Sequence, residues 1–300
     1  MTMTTRLPFI TLNNGLELPV LGLGVFQSPP EQTTAAVEAA IAAGYPLIDT
    51  AASYLNEREV GDGIRNSGID RAKLFVQTKL WISDYGDDSA LRAYDVSLRK
   101  LGLDHVDLYL LHQPMPNEWE RTVAAYKAAE RLLAGGRVRA IGVSNFSAKH
   151  LGDLIARTEV VPAVNQVELH PFFVQRELRA LHARLGITTQ AWSPLGGIHV
   201  YRPSDPNAVK NALKHPVVVT LAEKYGKRPA QVVLRWHIEH GFSAIPKSVR
   251  PERIAENFDV FDFTLTPDEV ASIDALDTGV RAGPDPDSID TKRFTLTIPD

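Results

Sequence analysis

Residues 45–80, YPLIDTAASYLNEREVGDGIRNSGIDRAKLFVQTKL, contain two short apolar segments that are separated by a segment of helical length. The two apolar segments, YPLID and LFVQT, have the length and the composition of buried β-strands. Between them, Asn56 and Glu59 have the spacing that resembles a capping box at the start of a helix. A strand, a helix and a second strand in this order are typical of a parallel sheet, so the stretch predicts an α/β fold.

Strand-length apolar segments of the same kind recur along the chain, and amphipathic stretches of helical length lie between most of them. The eight segments are centred on Leu23, Leu47, Phe75, Tyr109, Ile141, Val164, Thr189 and Ala244. Eight alternating strands and helices either close into a (β/α)8 TIM barrel or open into a doubly wound sheet. No linker rich in proline and glycine breaks the rhythm in mid-chain, so we expect one barrel domain over residues 1–300. The longest interval, between Thr189 and Ala244, predicts an inserted loop or an extra helix.

Both ends of the chain depart from this rhythm. Residues 8–19 contain two short strand-like segments around Asn13-Asn14-Gly15, which predicts a β-hairpin able to plug the bottom of the barrel. Residues 277–300 are rich in Asp, Gly and Pro and predict an extended tail. Before the tail, residues 266–269, TPDE, predict a capping box with proline at the first helical position.

The composition excludes several classes of protein. Hydrophobic residues make up 44% and charged residues 23% of the chain, as in ordinary globular proteins and unlike disordered ones. The 32 basic and 36 acidic residues give a net charge of −4, so we expect no general attraction to nucleic acid or to anionic membranes. The absence of cysteine rules out disulfides, a thiol nucleophile and cysteine-ligated metal centres. No signal peptide or membrane span is recognisable, and a monomeric cytoplasmic enzyme is the default expectation.

One glycine motif imitates a dinucleotide-binding site. Residues 22–27, GLGVFQ, begin like the fingerprint G-x-G-x-x-G, and Asp49 follows at a suitable distance. However, Gln27 replaces the third glycine, and Ser28-Pro29-Pro30 interrupts the chain where the helix of the fingerprint begins. These two departures argue against a Rossmann site.

Four ionisable side chains lie at or just after the carboxyl ends of predicted strands, where a barrel carries its functional groups. Asp49 ends YPLID, Lys79 ends LFVQTK and His112 ends VDLYLLH. Tyr54 lies in the loop that follows Asp49. Taken singly, each has a structural explanation, as a helix-capping aspartate, a solvated lysine, a packed tyrosine or a core histidine.

Taken together, the four groups suit the reduction of a carbonyl. A tyrosine hydroxyl has a usual pKa of about 10 and is a poor acid at neutral pH. A neighbouring ammonium stabilises the phenolate and lowers that pKa, and a carboxylate beside the ammonium keeps the lysine charged. A histidine opposite the tyrosine can orient the carbonyl oxygen. Asp49, Lys79, Tyr54 and His112 therefore form a candidate proton-donating site.

Seven segments of the chain resemble, in order and in spacing, the signature segments of the aldo-keto reductases. They are DTAASYLNE, VQTKLW, LLHQP, IGVSNF, NQVELHP, AWSPLG and IPKSVRPERIAEN. The resemblance runs from about Pro8 to Phe263, and it is strongest to the bacterial group that is similar to 2,5-diketo-gluconate reductase. It implies the reduction of aldehydes or ketones to alcohols on a TIM barrel, with NADPH or NADP+ bound in an extended form across the rim.

The resemblance implies a role for each of the four rim residues. Tyr54 would be the general acid, and Lys79, held by Asp49, would lower its pKa. His112 would position the substrate carbonyl while the nicotinamide supplies the hydride.

The resemblance also implies a set of cofactor-binding residues. They are Ser144, Asn145 and Gln166 for the carboxamide, Trp192 under the nicotinamide ring, where tyrosine is commoner, Ser193 and Leu195 along the pyrophosphate, Lys247, Ser248 and Arg253 for the 2′-phosphate, and Glu256 and Asn257 for the adenine.

The segment of residues 247–253, KSVRPER, points to a phosphate site on physical grounds as well. Pro251 predicts the start of a helix, and a helix N-terminus favours anions. Lys247, Ser248 and Arg253 would add charge-assisted hydrogen bonds. A run of charge usually means a solvated surface, but this one directly follows the last predicted strand, on the functional rim of the barrel.

One position departs from the family pattern. The residue after the histidine is commonly tryptophan, and here it is Gln113. Phe26 and Trp81 remain as aromatic walls, so we expect a substrate pocket that is apolar on one side and hydrogen-bonding on the other.

Three other functions stay open at this point. An aldolase would use Lys79 as a Schiff-base nucleophile, which requires a neutral amine that Asp49 disfavours. A metal-dependent hydrolase is a weaker alternative, because the nine histidines include no H-x-H or H-E-x-x-H spacing, and we expect no metal. A barrel that binds NADPH and regulates a partner would show no turnover.

Overall fold

The computed structural model of the chain describes residues 8–196 and 211–300. Residues 1–7, at the terminus where no signal peptide is predicted, lie outside the described residues, as do residues 197–210 of the long interval before the last strand. The first two strands, β1 (Phe9–Thr11) and β2 (Glu17–Pro19), pair as the predicted antiparallel hairpin.

Eight parallel strands follow the hairpin. They are β3 (Leu23–Gly24), β4 (Leu47–Asp49), β5 (Phe75–Leu80), β6 (Val106–Leu111), β7 (Val138–Ser144), β8 (Val164–Glu168), β9 (Thr188–Trp192) and β10 (Ser243–Ala244). The helices of the described residues are α1 (Pro30–Ala42), α2 (Glu57–Ser67), α3 (Asp88–Leu101), α4 (Trp119–Ala134), α5 (Ala148–Ile155), α6 (Arg176–Leu185), α7 (Pro216–Tyr225), α8 (Pro229–Glu239), α9 (Pro251–Phe258) and α10 (Pro267–Asp274). Each predicted strand centre lies in one of the eight parallel strands, and α7 is an extra helix in the long interval.

The eight-stranded sheet closes on itself. Its strands pair in sequence order from β3 to β10, and the two end strands are joined by parallel bridges between Leu21 and Ala244 and between Gly24 and Lys247. The N–H of Gly22 donates to the carbonyl oxygen of Ala244 at 2.9 Å. This closure confirms the TIM barrel over the open, doubly wound sheet.

The glycines that imitate a dinucleotide fingerprint belong to this closure. A Cβ at Gly22 would lie 2.0 Å from Cδ2 of Leu47, so a side chain there would collide with the neighbouring strand. The next helix, α1, begins only at Pro30. The motif therefore serves the packing of the barrel wall.

The barrel interior is apolar at its amino-terminal end. Side chains of the hairpin are buried there together with side chains from the strands, namely Leu12, Leu18, Leu47, Phe75, Leu108, Leu110, Ala140 and Val164. Asn13 and Asn14 of the hairpin turn donate to the carbonyl oxygens of Pro162 and Arg139, which precede or begin strands. The hairpin therefore plugs the amino-terminal end of the barrel, as the sequence suggests.

Two helix starts test the capping predictions. Thr266 and Glu269 form the predicted capping box, in which Oγ1 of Thr266 accepts from the backbone of Glu269 and the Glu269 carboxylate accepts from the backbone of Thr266. The capping box at Asn56 is wrong, because its side chain caps no helix. It is buried instead and donates to the carbonyl oxygens of Val25 and Ser28, at 3.0 Å and 3.3 Å, in the loop after β3.

Residues 277–300 form the predicted extended tail, with one short 3-10 turn at Pro286–Ser288. Within residues 8–196 and 211–300, no helix is long and apolar enough to cross a membrane.

Candidate active site

A cavity of about 690 Å³ opens at the carboxyl-terminal end of the barrel. The predicted site residues that line it are Phe26, Asp49, Tyr54, Trp81, His112, Gln113, Ser144, Asn145, Gln166, Trp192, Ser193, Leu195 and Lys247. The tail contributes Pro284, Phe294, Thr295 and Leu296 to its wall. The loops after different strands thus bring together residues that are far apart in the sequence.

Four predicted cofactor residues lie outside this lining, on the segment and the helix that follow β10. Ser248 accepts from the backbone N–H of Arg250 at 3.1 Å. Arg253 is exposed in the first turn of α9, which begins at Pro251 as predicted. Asn257 is buried on the same helix, and the carboxylate of Glu256 lies 3.9 Å from the guanidinium of Arg228.

The centre of the site is a buried ion pair that touches a tyrosine. The Nζ of Lys79 lies 2.7 Å and 2.9 Å from the two carboxylate oxygens of Asp49, 2.9 Å from the carbonyl oxygen of Thr50 and 3.2 Å from the hydroxyl of Tyr54. The side chains of Lys79 and Asp49 are 0% and 1% exposed. Burial lowers the pKa of Lys79, and the Asp49 carboxylate opposes that shift. Three residues offer oxygen atoms to one nitrogen, which suits an ammonium with its three hydrogens.

His112 faces the same cavity from β6. Burial, together with the nearby Lys79 ammonium, holds the pKa of His112 well below its usual range, so the imidazole is neutral at physiological pH. Its Nδ1 lies 3.2 Å from the hydroxyl of Ser53. Ser53 is missing from the sequence-based site, although it directly precedes Tyr54 and lines the cavity.

Behind the histidine, side chains at the ends of β7 and β9 form a hydrogen-bonded floor. Asn145 donates to the carbonyl oxygen of His112 at 3.0 Å and to the Ser144 hydroxyl at 3.1 Å. The Ser144 hydroxyl donates to the carbonyl oxygen of Gln166 at 2.9 Å, and the indole N–H of Trp192 donates to the amide oxygen of Asn145 at 2.8 Å. Asn145 has a positive φ of 67°, a left-handed conformation in which asparagine is enriched among residues with a side chain.

Two further glutamines lie below the ion pair and were not recognised in the sequence. Gln77 on β5 donates to the Asp49 carboxylate at 2.6 Å. Gln190 on β9 accepts from Gln77 and from Gln166, at 2.7 Å each. The alternation of side chains along a strand was the available signal, because Gln77 lies two residues before Lys79 and so on the same face.

A buried glutamate, which was not recognised in the sequence, fixes the tail over the cavity. The carboxylate of Glu168 accepts from the backbone N–H groups of Ala282 and Gly283, at 3.0 Å and 2.8 Å, and contacts the Nε2 of His170 at 3.0 Å. Burial would raise the pKa of Glu168, but the hydrogen bond and charge interaction with His170, together with the two backbone hydrogen bonds, outweigh it and lower the pKa. Further along, the indole N–H of Trp81 donates to the carbonyl oxygen of Leu296 at 2.9 Å.

Comparisons with known proteins agree with this architecture. The sequence profile of the Aldo/keto reductase family matches residues 20–278. Morphine 6-dehydrogenase of Pseudomonas putida is 56% identical over 293 residues, which cover 97% of this chain and 99% of that protein. Methylglyoxal reductase DkgA of Escherichia coli K12 is 46% identical over 93% of this chain and 96% of that protein. The crystal structure of a Gox0644 mutant in complex with NADPH is 42% identical, covers 95% of this chain and 99% of that chain, and has a TM-score of 0.87.

Proposed function

The chain belongs to the aldo/keto reductase family, and on that premise we propose that it reduces aldehydes or ketones to alcohols with NADPH, with Tyr54 as the proton donor. One observation carries the proposal. The Nζ of Lys79 bonds the Asp49 carboxylate and the Tyr54 hydroxyl at the same time, and the hydroxyl belongs to the wall of the cavity.

The contact between Lys79 and Tyr54 is the chemically useful one. A carbonyl oxygen that gains a hydride at its carbon develops negative charge, and the Tyr54 hydroxyl would donate its proton there. The ammonium 3.2 Å away favours the phenolate that remains. Asp49 holds that ammonium in place, and the pair is protected from solvent because both side chains are buried.

His112 would orient the carbonyl oxygen toward Tyr54. If the Ser53 hydroxyl donates to Nδ1, the neutral imidazole carries its hydrogen on Nε2. That N–H is then a donor for the substrate oxygen. The low pKa of His112 matters here, because a neutral imidazole does not compete with Tyr54 for the role of acid.

The floor and the mouth of the cavity fit a nicotinamide dinucleotide. When bound, NADPH supplies the hydride. Gln166 is buried, lines the cavity and has an amide oxygen that no described residue bonds, so it would accept from the carboxamide. Ser144 and Asn145 would lie beside that group, and Trp192 would lie under the ring.

The dinucleotide would run outward past Ser193 and Leu195 to Lys247, all of which line the cavity. Ser248 and Arg253 would meet the 2′-phosphate at the start of α9, which offers its free N–H groups to an anion. Glu256 and Asn257, on the same helix, would meet the adenine.

The substrate would enter between aromatic walls. Phe26 and Tyr54 pack with their ring centres 5.0 Å apart, and Trp81 packs against His112 at 5.2 Å. Phe294 from the tail adds a further ring. Gln113 lines the same cavity, so the substrate would be a largely apolar carbonyl compound with a hydrogen-bonding group on the Gln113 side.

The decisive experiment follows NADPH absorbance in the presence of a carbonyl panel. The panel spans aromatic aldehydes, methylglyoxal, keto-sugars and steroids, ranked by kcat/KM. Oxidation of NADPH with at least one class supports the proposal, whereas NADPH binding without turnover on any carbonyl would favour a regulator. Covalent labelling of Lys79 by borohydride with a ketone would favour an aldolase, although the oxygen atoms of three residues around Lys79 favour the ammonium over the neutral amine that this chemistry needs.

A further inference from the structure

Three glutamines form a continuous buried layer beneath the catalytic ion pair. Gln77, Gln166 and Gln190 come from β5, β8 and β9 and are 0%, 1% and 0% exposed. Their amides reach across the barrel interior, so strands that are not neighbours are joined there.

Every amide hydrogen of this layer has an acceptor. Gln77 donates to the Asp49 carboxylate at 2.6 Å and to the amide oxygen of Gln190 at 2.7 Å. Gln166 donates to the same two oxygens, at 2.9 Å and 2.7 Å. Gln190 donates to Gln77 and to the Ser243 hydroxyl, at 3.2 Å each, and Ser243 donates to the carbonyl oxygen of Pro19.

This arrangement leaves one acceptor without a partner among the described residues, the amide oxygen of Gln166 at the cavity floor. The direction in which this oxygen points follows from the negative charge of the Asp49 carboxylate. A carboxylate accepts hydrogen bonds and repels an amide oxygen, so Gln77 and Gln166 must turn their NH2 groups toward it. Gln190 then receives the second hydrogen of each amide.

We propose that Gln190, together with Gln77, is a positioning residue that holds Gln166 with its oxygen toward the cofactor carboxamide and holds Asp49 against Lys79. This inference rests on the proposed cofactor site. Because both hydrogens of Gln166 are used below, it can act on the cofactor only as an acceptor. The cofactor must therefore offer an NH2 group at this point, which selects a carboxamide over a methyl ketone.

The test compares two dinucleotides that differ only at that group, NADP+ and its 3-acetylpyridine analogue, whose methyl group cannot donate. Both dissociation constants are measured by quenching of tryptophan fluorescence, without turnover. In the wild type we expect NADP+ to bind roughly three- to tenfold more tightly, the value of one neutral hydrogen bond. In Gln190→Met, Gln166 keeps only its hydrogen bond to Asp49 and can rotate about it. The preference for NADP+ over the analogue should therefore fall to about twofold or less.

Two variants separate positioning from stability. Gln190→Glu keeps an acceptor for both amides, so it should retain most of the preference. Thr189→Val removes a buried hydroxyl from the same strand, one that bonds His182 at 2.9 Å outside the layer, and should retain all of it.

The outcomes are distinguishable. A full preference in Gln190→Met would overturn the role of Gln190, and equal binding of both dinucleotides to the wild type would overturn the role of Gln166 while leaving NADPH-dependent turnover intact. If the wild type binds neither dinucleotide, the cofactor site fails and this inference fails with it.

Discussion

The two halves of the barrel interior are built from the same strands but from different side chains. At the amino-terminal end, Phe75 on β5 packs with leucines from β6 and from the hairpin. Two residues later the same face of β5 carries Gln77, and after two more it carries Lys79 in its ion pair with Asp49. One strand therefore passes from a stabilising core to a reactive site within five residues, because side chains of one face recur at every second position.

The backbone conformation of the connections also differs between the two ends of the barrel. Among the residues that the structure describes, the non-glycine residues with positive φ are Gln27, Leu55, Asn145, Gln175 and Ser193, and all follow the carboxyl ends of strands. Connections at the other end use glycine for this conformation, as at Gly102 after α3. Such a conformation costs about 1–2 kcal/mol in a residue that carries a side chain. Three of the five, Gln27, Asn145 and Ser193, line the cavity, so at these positions the barrel accepts that cost in the wall of the site.

The largest contrast is expected from two tyrosines. Tyr54→Phe should lower kcat roughly 10²–10⁴-fold, because the general acid is lost, while the dissociation constant for NADPH stays nearly unchanged. Tyr126→Phe removes a buried hydroxyl that bonds the carbonyl oxygen of Val160 outside the cavity lining and outside α9, and should leave kcat alone. Turnover at the wild-type level in purified Tyr54→Phe would remove Tyr54 from the mechanism.

At the amino-terminal end of the barrel we expect the opposite result, a loss of stability without a loss of kcat. Leu108→Ala creates a cavity in the apolar cluster and should lower the free energy of unfolding by about 2–5 kcal/mol. The kcat of the folded fraction should hardly change. Urea denaturation and steady-state kinetics on the same preparation measure both quantities. A loss of kcat comparable with that of Tyr54→Phe would show that the two halves are not separable.

Arg253→Ala tests the outer edge of the carboxyl-terminal face. A hydrogen bond to a charged group contributes about 1.5–3 kcal/mol, so the dissociation constant for NADPH should rise roughly ten- to a hundredfold. The value for NADH should stay constant, because it has no 2′-phosphate, and the NADPH penalty should shrink at high ionic strength. Arg92→Ala, an exposed arginine on α3, is the matched control. Equal losses for both cofactors would move the phosphate site elsewhere.

Gln113→Trp changes the wall of the cavity without touching Tyr54 or Lys79. We expect aromatic aldehydes to gain and polyhydroxylated or dicarbonyl substrates to lose, with a change of up to about tenfold in their ratio of kcat/KM, the value of one amide hydrogen bond. The carbonyl panel measures this ranking, and an unchanged order would place the Gln113 side chain outside the substrate pocket.

The smallest effect is expected at Ser53. Ser53→Ala removes the hydroxyl near Nδ1 of His112, and kcat/KM should fall roughly three- to tenfold because the Nε2–H form is less favoured. Binding of NADPH should not change. Ser53→Thr, which keeps the hydroxyl, should restore most of the rate, and if both variants behave alike, the contact has no part in orienting His112.

Local patterns in the sequence were enough to predict the elements and the residues at their ends. Short apolar segments, the Asn13-Asn14-Gly15 turn and the capping box at Thr266 depend on neighbours within a few residues, so their structure could be predicted locally. Asp49, Lys79 and His112 were recognisable for the same reason, since each directly follows a strand pattern. The family resemblance added the assignment of roles, which spacing alone left open.

Contacts between distant groups, in contrast, depend on the closed barrel and could not be predicted locally. The hydrogen bond between Gln77 and Gln190 joins residues 113 positions apart, and the one between Glu168 and Ala282 spans 114. Asn56 has a local pattern for a helix cap, yet its buried side chain donates to the carbonyl oxygens of Val25 and Ser28 in the loop after β3, because a buried amide needs hydrogen-bond partners. A buried polar group needs a hydrogen-bond partner. Which group becomes that partner depends on the closed barrel and not on the neighbours in the chain.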